Sequence, residues 1–439
     1  MNILTFDHFF WQDLDALESV LSTDDVLIRI PYQRWHRAAR KAFPEDAFEN
    51  LGRAYDADLA ESWRRFRLFV NDEVKWLIAA YRPNVLVLPS DIFFYVRPFV
   101  EEFRSASVGV FVMQKETTIS PDVMDHLSLE VAQFTPFMSD FMTVCSERHK
   151  QFWIRAGADP ELVAVTGQPR FDVYAGSVEE KISQKPRLLY LTYDDVAYLP
   201  TEDGLIFEGT WRDLRLETET ILSEFADLYD IRVKQHPQQV TGDTALSAGI
   251  VEVDRFADTR DLILNSDLVV GFQTTAIYEA VVCGKPVVYP AWGKTFDVVK
   301  RTLCRFEEIP GMINWATSGD HFRAILDVGL EGLSQSSKEG YEEALIHLGP
   351  IDGQASERTL KLLRDYAKNP RVVKIALSSY CRRSTTIFEL PILWFISLIL
   401  SGVAPHMSQR FARRRDEKRQ VCREILLNLG QRKGIVNGN

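Results

Sequence analysis

A succession of short apolar runs, each followed by a stretch of helical length, sets the strongest limit on how this chain can fold. Asn84-Val-Leu-Val-Leu-Pro-Ser90, Ser107-Val-Gly-Val-Phe-Val-Met-Gln114, Phe141-Met-Thr-Val-Cys145 and Leu162-Val-Ala-Val-Thr166 form a first series. Strands that continue in Val, Ile and Leu without polar alternation must be covered on both faces, as parallel strands flanked by helices are. Strand then helix, repeated, predicts an α/β fold with a doubly wound sheet.

The stretch Tyr174–Pro186 is polar and has no apolar period, and it reads as a linker. A second series follows it: Arg187-Leu-Leu-Tyr-Leu-Thr192, Ile231-Arg-Val-Lys-Gln235, Ile250-Val-Glu-Val253, Leu268-Val-Val270 and Pro286-Val-Val-Tyr289. Helical patterns at Leu214–Tyr229 and Thr275–Cys283 separate them. The expectation is two Rossmann-like domains, 1–173 and 187–352, facing one cleft with ligands at the strand carboxyl ends. Residues 353–439 form a C-terminal helical segment and basic tail.

Composition narrows the class. At 439 residues with 46% hydrophobic and 26% charged, the chain is globular rather than disordered or multi-span. A net charge of −11 argues against nucleic acid as a partner. Five scattered cysteines, none at zinc-ligand spacing, suit reduced thiols in the cytoplasm. The start, Met1 to Asp7, has no basic region or cleavage site of a secretion signal. Near the other end, Ile392–Leu400 is strongly apolar but too short to span a bilayer, and a basic run from Arg410 to Arg423 follows it. Either this is a helix lying on the inner membrane surface or it is a buried helix with a solvated tail.

Asn265–Tyr289 holds the most chemistry. A strand over Leu268–Val270 meets a turn at Gly271, and a helix is expected to start near Thr275. Gln273, Thr274 and Thr275 then stand at a helix start, where free N–H groups and the positive end of the dipole suit a donor's phosphates. Glu279, one turn on, is within reach of a ribose diol. Gly284-Lys-Pro286 closes the helix. The second feature is Val233-Lys-Gln-His-Pro237, in which proline ends the ladder and His236 projects from a strand end. Imidazole there can hold a phosphate oxygen and stabilise a leaving nucleotide.

In this order, these residues resemble the donor half of GT-B transferases of bacterial surface polymers: CDP-glycerol glycerophosphotransferases, His-Pro-motif sialyltransferases and capsule Kdo transferases. Thr166-Gly-Gln-Pro-Arg-Phe-Asp172 resembles the Gly-x-Pro-Arg-x-Asp closing the first domain of the glycerophosphotransferases. The resemblance covers roughly residues 80–295 and implies donor phosphates held by His236, Thr274 and Thr275. It departs at Leu191-Thr-Tyr-Asp194, where the glycerophosphotransferases have Pro-Thr-x-Arg; Asp194 and Asp195 in place of arginine favour a sugar donor. Arg170, Lys234 and Lys285 suit an acidic sugar and equally suit structural roles. Glu202-Asp203-Gly204 has the form of the sialyltransferase base but falls in the wrong domain, and a turn accounts for it.

The base that deprotonates the acceptor hydroxyl stays open among Glu116, Asp91, Asp194 and the Asp7–His8 pair. Lys115, beside Glu116, suits donor phosphate or an acidic acceptor. No Gly-x-Gly-x-x-Gly and no P-loop occurs, so neither a nicotinamide nor any other cofactor is expected. No strand of either series closes on the Asp-x-Asp of metal-dependent GT-A enzymes, so metal is not expected. The function implied is sugar transfer from a nucleotide-activated donor to a surface polysaccharide or lipid-linked glycan. The alternatives are a CDP-alditol phosphotransferase of the teichoic-acid type, an isomerase like UDP-N-acetylglucosamine 2-epimerase, and a non-catalytic nucleotide-binding protein.

Overall fold

The computed structural model describes residues 1–7, 10–49, 52–115, 121–176, 185–195, 210–236, 244–247, 250–272, 274–299, 313–333 and 338–368. His8, Glu116, Glu202–Gly204, Gln273 and the whole segment 369–439, with its apolar and basic stretches, lie outside them.

The first domain is a six-stranded parallel sheet of β1 (Asn2–Asp7), β2 (Val26–Pro31), β3 (Val85–Leu88), β4 (Gly109–Met113), β5 (Phe141–Val144) and β6 (Val163–Val165). Its order is β2-β1-β3-β4-β5-β6. The second sheet comprises β7 (Arg187–Leu191), β8 (Asp230–Lys234), β9 (Val251–Val253), β10 (Leu268–Gly271), β11 (Val287–Pro290) and β12 (Ile313–Ala316). Its order, β12-β11-β10-β7-β8-β9, is the dinucleotide-fold order, with the reversal between β7 and β10. The helices are α1 (Trp11–Ser19), α2 (Gln33–Ala42), α3 (Asp46–Glu49), α4 (Ala60–Tyr81), α5 (Arg97–Ser105), α6 (Pro121–Phe134), α7 (Glu147–Arg155), α8 (Arg212–Glu224), α9 (Thr259–Leu264), α10 (Ala276–Val282), α11 (Lys294–Val299), α12 (Gly319–Asp327), α13 (Lys338–Leu348) and α14 (Ala355–Lys368).

Side-chain parity sorts each sheet into two cores. Leu4, Leu86, Leu88, Val110 and Val112 face α2, α4 and α5. Their neighbours Ile3, Val85, Val87, Phe111 and Met113 face α1 and α14. In the second sheet Leu189, Val269 and Val287 pack under α10 and α13, while Leu188, Val270 and Val288 pack under α8 and α12.

Two features differ from the domain division expected above. Residues 353–368 belong to the first domain, because Leu360, Leu363 and Tyr366 of α14 complete its core. The expected linker begins later, since Pro169–Ala175 is a 3-10 helix with Tyr174 buried. Glycines make the return crossing possible. At Gly349 (φ +76°) an added Cβ would lie 1.8 Å from the Cys145 carbonyl oxygen, and at Gly167 (φ +79°) 2.8 Å from that of Pro350.

Candidate functional site

The strand registers bring three loops into a row. Leu191 at the end of β7 is level with Lys234 on one side and Gly271 on the other. Asp194, His236 and the Thr274–Thr275 pair therefore rise side by side from the carboxyl ends of β7, β8 and β10, at the point where strand order reverses. Open α/β sheets bind ligands there because the loops diverge and leave a crevice. Beneath the row lies an aromatic floor, with Phe272 4.5 Å from Tyr193, 4.6 Å from Trp211 and 5.4 Å from Tyr289 between ring centroids.

His236 is half-buried at this edge. Burial and the nearby charge of Lys234 hold its imidazole below the usual histidine range, and Asp194 pulls the other way. A lowered pKa favours the neutral ring near pH 7, which has one N–H to offer and no fixed positive charge. Thr275 is the N-cap residue of α10 without using its side chain as a cap, and the Thr274 hydroxyl accepts the Ala276 N–H at 3.4 Å. The helix starts within one residue of the expected position.

Glu279 is buried, and one carboxylate oxygen accepts the Tyr174 hydroxyl at 2.6 Å. Burial raises its pKa, opposed by Arg170, by the Tyr174 hydrogen bond and by Arg260. The helix-face position read from the sequence holds. Its present partner, however, is the hinge segment between the domains, a contact that the reading of 174–186 as linker missed.

Three expected roles are corrected by their surroundings. Asp91 is fully buried, and one of its oxygens accepts the backbone N–H groups of Met138 (3.0 Å) and Ser139 (2.9 Å). It ties the turn after β3 to the loop before β5 and is not open as a base. Lys234 is buried with its ammonium donating to the Arg255 carbonyl at 2.9 Å, so it fastens the loop after β9 instead of a donor phosphate. Burial lowers its pKa, against the pull of Asp258 and Asp254. Arg170 pairs with fully buried Asp13 at 3.0 Å, and Asp13 also accepts the Arg170 backbone N–H and the Gln168 side chain. Asp172 caps α14 through the N–H groups of Ala355 and Ser356. The Gly167–Asp172 motif is thus a fastening for α1 and α14.

Of the neighbouring acidic pair, Asp195 is bound to buried Arg215 at 2.7 Å. Asp194 lies on the His236 side. In the first domain, Asp7 ends β1, where that sheet's order reverses between β1 and β3. Burial raises its pKa, Arg29 opposes this, and Asp15 adds to it. Lys115 follows β4 at the same edge, with its backbone N–H bonded to the Pro89 carbonyl.

Residues that the sequence gave no reason to pair bridge the domains beside this edge. Asp258 accepts the Gln12 amide at 2.6 Å and is held by Arg260, which also donates to the Arg170 carbonyl at 3.1 Å and lies 5.9 Å from the Trp11 ring centroid. Gln12, Asp258 and Arg260 stand outside every motif read from the sequence, and Arg170 was read only toward a donor or a structural role. Asp258 alone carried a signal, as the N-cap of α9. Among the described residues no group of three or more His, Cys, Asp or Glu is arranged to hold a metal ion, and no helix is long and apolar enough to cross a membrane.

Residues 116–325, a little under half the chain, match the family CDP-Glycerol:Poly(glycerophosphate) glycerophosphotransferase. The span includes His236, the Thr-Thr turn and Glu279. No curated protein sequence matches the chain. Among solved structures, the wall teichoic acid polymerase TagF is 12% identical with a TM-score of 0.50, over 84% of this chain and 90% of that one. A UDP-N-acetylglucosamine 2-epimerase is 13% identical at 0.50, over 84% and 96%. A Listeria monocytogenes protein assigned as such an epimerase is 14% identical at 0.50, over 83% and 96%. At these identities the structural likeness establishes the fold alone, two Rossmann-like domains of GT-B type. With the family match, the resemblance to GT-B surface-polymer transferases holds.

Proposed function

We propose that the protein is a transferase that takes a group from a nucleotide-activated donor and adds it to a surface polymer or lipid-linked glycan. The observation that carries this reading is the meeting of His236, Asp194 and the Thr-Thr turn where the second sheet reverses. The donor's phosphates lie against Thr274, Thr275 and the neutral N–H of His236, which stabilise the charge on the departing nucleotide. Glycosyl transfer is the primary reading, because Asp194 stands where an arginine for an alditol phosphate is expected. Phosphoalditol transfer from a CDP-alditol is the second reading, and the glycerophosphotransferase family match favours it.

The acceptor hydroxyl comes from the first domain. Asp91 being enclosed, Asp7 is the proton acceptor we assign, since it ends the strand at that sheet's reversal and its raised pKa suits a base. No metal takes part in this scheme, and turnover in EDTA checks that point. The deciding experiment is a thermal-shift screen against CMP, CDP, UDP, GDP and dTDP. One nucleotide raising the melting point saturably supports the reading and names the donor class. Absence of any shift overturns it.

A further inference from the structure

Packed on one face of the second sheet, α8 carries a buried charge network that reaches the loops on both sides of the donor crevice. Arg215 and Glu219 stand one helical turn apart on the same face, and their side chains are 3% and 2% exposed. The Arg215 guanidinium donates to both Asp195 oxygens, at 2.7 and 3.3 Å, and to Glu219 at 2.9 Å. The other Glu219 oxygen accepts the Thr244 hydroxyl at 3.0 Å and the Ala245 N–H at 2.8 Å. One turn further along, the Ser223 hydroxyl accepts the Ser247 N–H at 2.9 Å. The Trp211 N–H, just before α8, donates to the Asp195 carbonyl at 2.8 Å. One helix thus fastens the loop after β7, which carries Asp194, and the segment after β8, which carries His236.

Stability alone does not call for this arrangement. Apolar side chains of similar volume often hold a buried site as well as an ion pair does, because both charges first have to leave water. What a guanidinium fork adds is a fixed distance and angle. The β7–β8 pairing extends to the Thr192 N–H, which donates to the Lys234 carbonyl at 3.1 Å, and Asp194 and His236 follow that rung on their own strands. We propose that Arg215 is a positioning residue: through Asp195 and Glu219 it sets the spacing of Asp194 and His236 across the donor crevice. The inference rests on the transferase reading above and adds the group that holds its two edge residues in register. A misplacement of about 1 Å in a group that meets the reacting atoms can cost about 10²-fold in rate. A buried fork is suited to preventing one.

The test uses full-length protein isotope-labelled at the histidine Cε1, with the His236 signal assigned by its absence from His236→Gln. Arg215→Lys keeps the charge and loses the fork, so it cannot hold both carboxylates in place. The His236 titration midpoint should then move by at least about half a pH unit, while that of exposed His126 stays where it is. The concentration of the bound nucleotide that gives half the melting shift should rise about tenfold. It should rise no further when Arg215→Lys is added to His236→Ala. Tyr229→Phe removes a buried bond to the Leu326 carbonyl in the same domain, and as the stability control it should leave both readouts unchanged. If Arg215→Lys does not fold, Glu219→Gln, with one acceptor oxygen where two are used, should move the His236 midpoint in its place by a smaller amount. An unmoved His236 midpoint in the folded variant, an equal movement in Tyr229→Phe, or a full additional loss on top of His236→Ala overturns the proposal. If the wild-type protein binds no nucleotide, the transferase reading fails by itself, and the His236 signal alone decides whether Arg215 positions this edge.

Discussion

The carboxyl edges of the two sheets make the instructive comparison. Both present carboxylates just after apolar strands, Asp91 after β3 and Asp194 after β7, and from sequence they are equivalent. In the first domain the chain folds back over Asp91 and supplies two backbone N–H groups, so the carboxylate becomes a structural joint. In the second domain the neighbouring Asp195 takes the structural role by pairing with Arg215, which leaves Asp194 beside His236 at the reversal point. A strand-end carboxylate is therefore a position, and what the next loop donates to it decides its use.

The largest expected effect tests the second edge. His236→Ala should lower turnover about 10²–10³-fold with the melting point little changed. Normal turnover would move the chemistry away from this edge. Next, Asp91→Ala strands two buried N–H groups and should cost about 2–4 kcal/mol in denaturant titration, with turnover per folded molecule preserved. Loss of turnover at unchanged stability would make Asp91 a base after all.

A smaller effect concerns the seam between the domains. His347 on α13 is buried, stacks on Tyr278 of α10 and lies 3.0 and 3.1 Å from Arg148 of α7, and burial and that charge lower its pKa to about 3. Between the unfolded value near 6.5 and this lower one, the unfolded chain binds the extra proton, so stability present above about pH 6.5 is lost as pH falls. The loss should reach on the order of 2 kcal/mol by pH 4.5. His347→Gln should flatten the melting-point profile over that window, and an unchanged slope would assign the acid sensitivity elsewhere. The smallest effect is that of Tyr174→Phe, about 1 kcal/mol, read as a lower melting point. It asks whether the hinge contact to Glu279 supports the donor edge.

How much was legible follows from what each residue depends on. β3, β4 and β10 stood out because both faces are buried and every position is apolar or nearly so. β2 and β12 were hidden because they lie at sheet edges, where Arg29, Asn314 and half-exposed side chains break the run. His236 and the Thr-Thr turn could be placed because a strand end is a local property. Lys234, Arg170 and Asp91 could not be given their roles, since their partners Arg255, Asp13 and Met138 lie 21 to 157 residues away. Tyr174 was missed for the same reason, with its partner 105 residues on.

The docking of α14 bears on biosynthesis. The sheet face carrying Ile3, Val87 and Phe111 is covered only in part, by α1, until Leu360, Leu363 and Tyr366 have left the ribosome, long after the second domain's strands have emerged. Nascent domains generally fold in order of synthesis. Here the lobe made first is finished last, and any chain stopped before residue 355 leaves the part of that apolar face under α14 open as its mark of incompleteness.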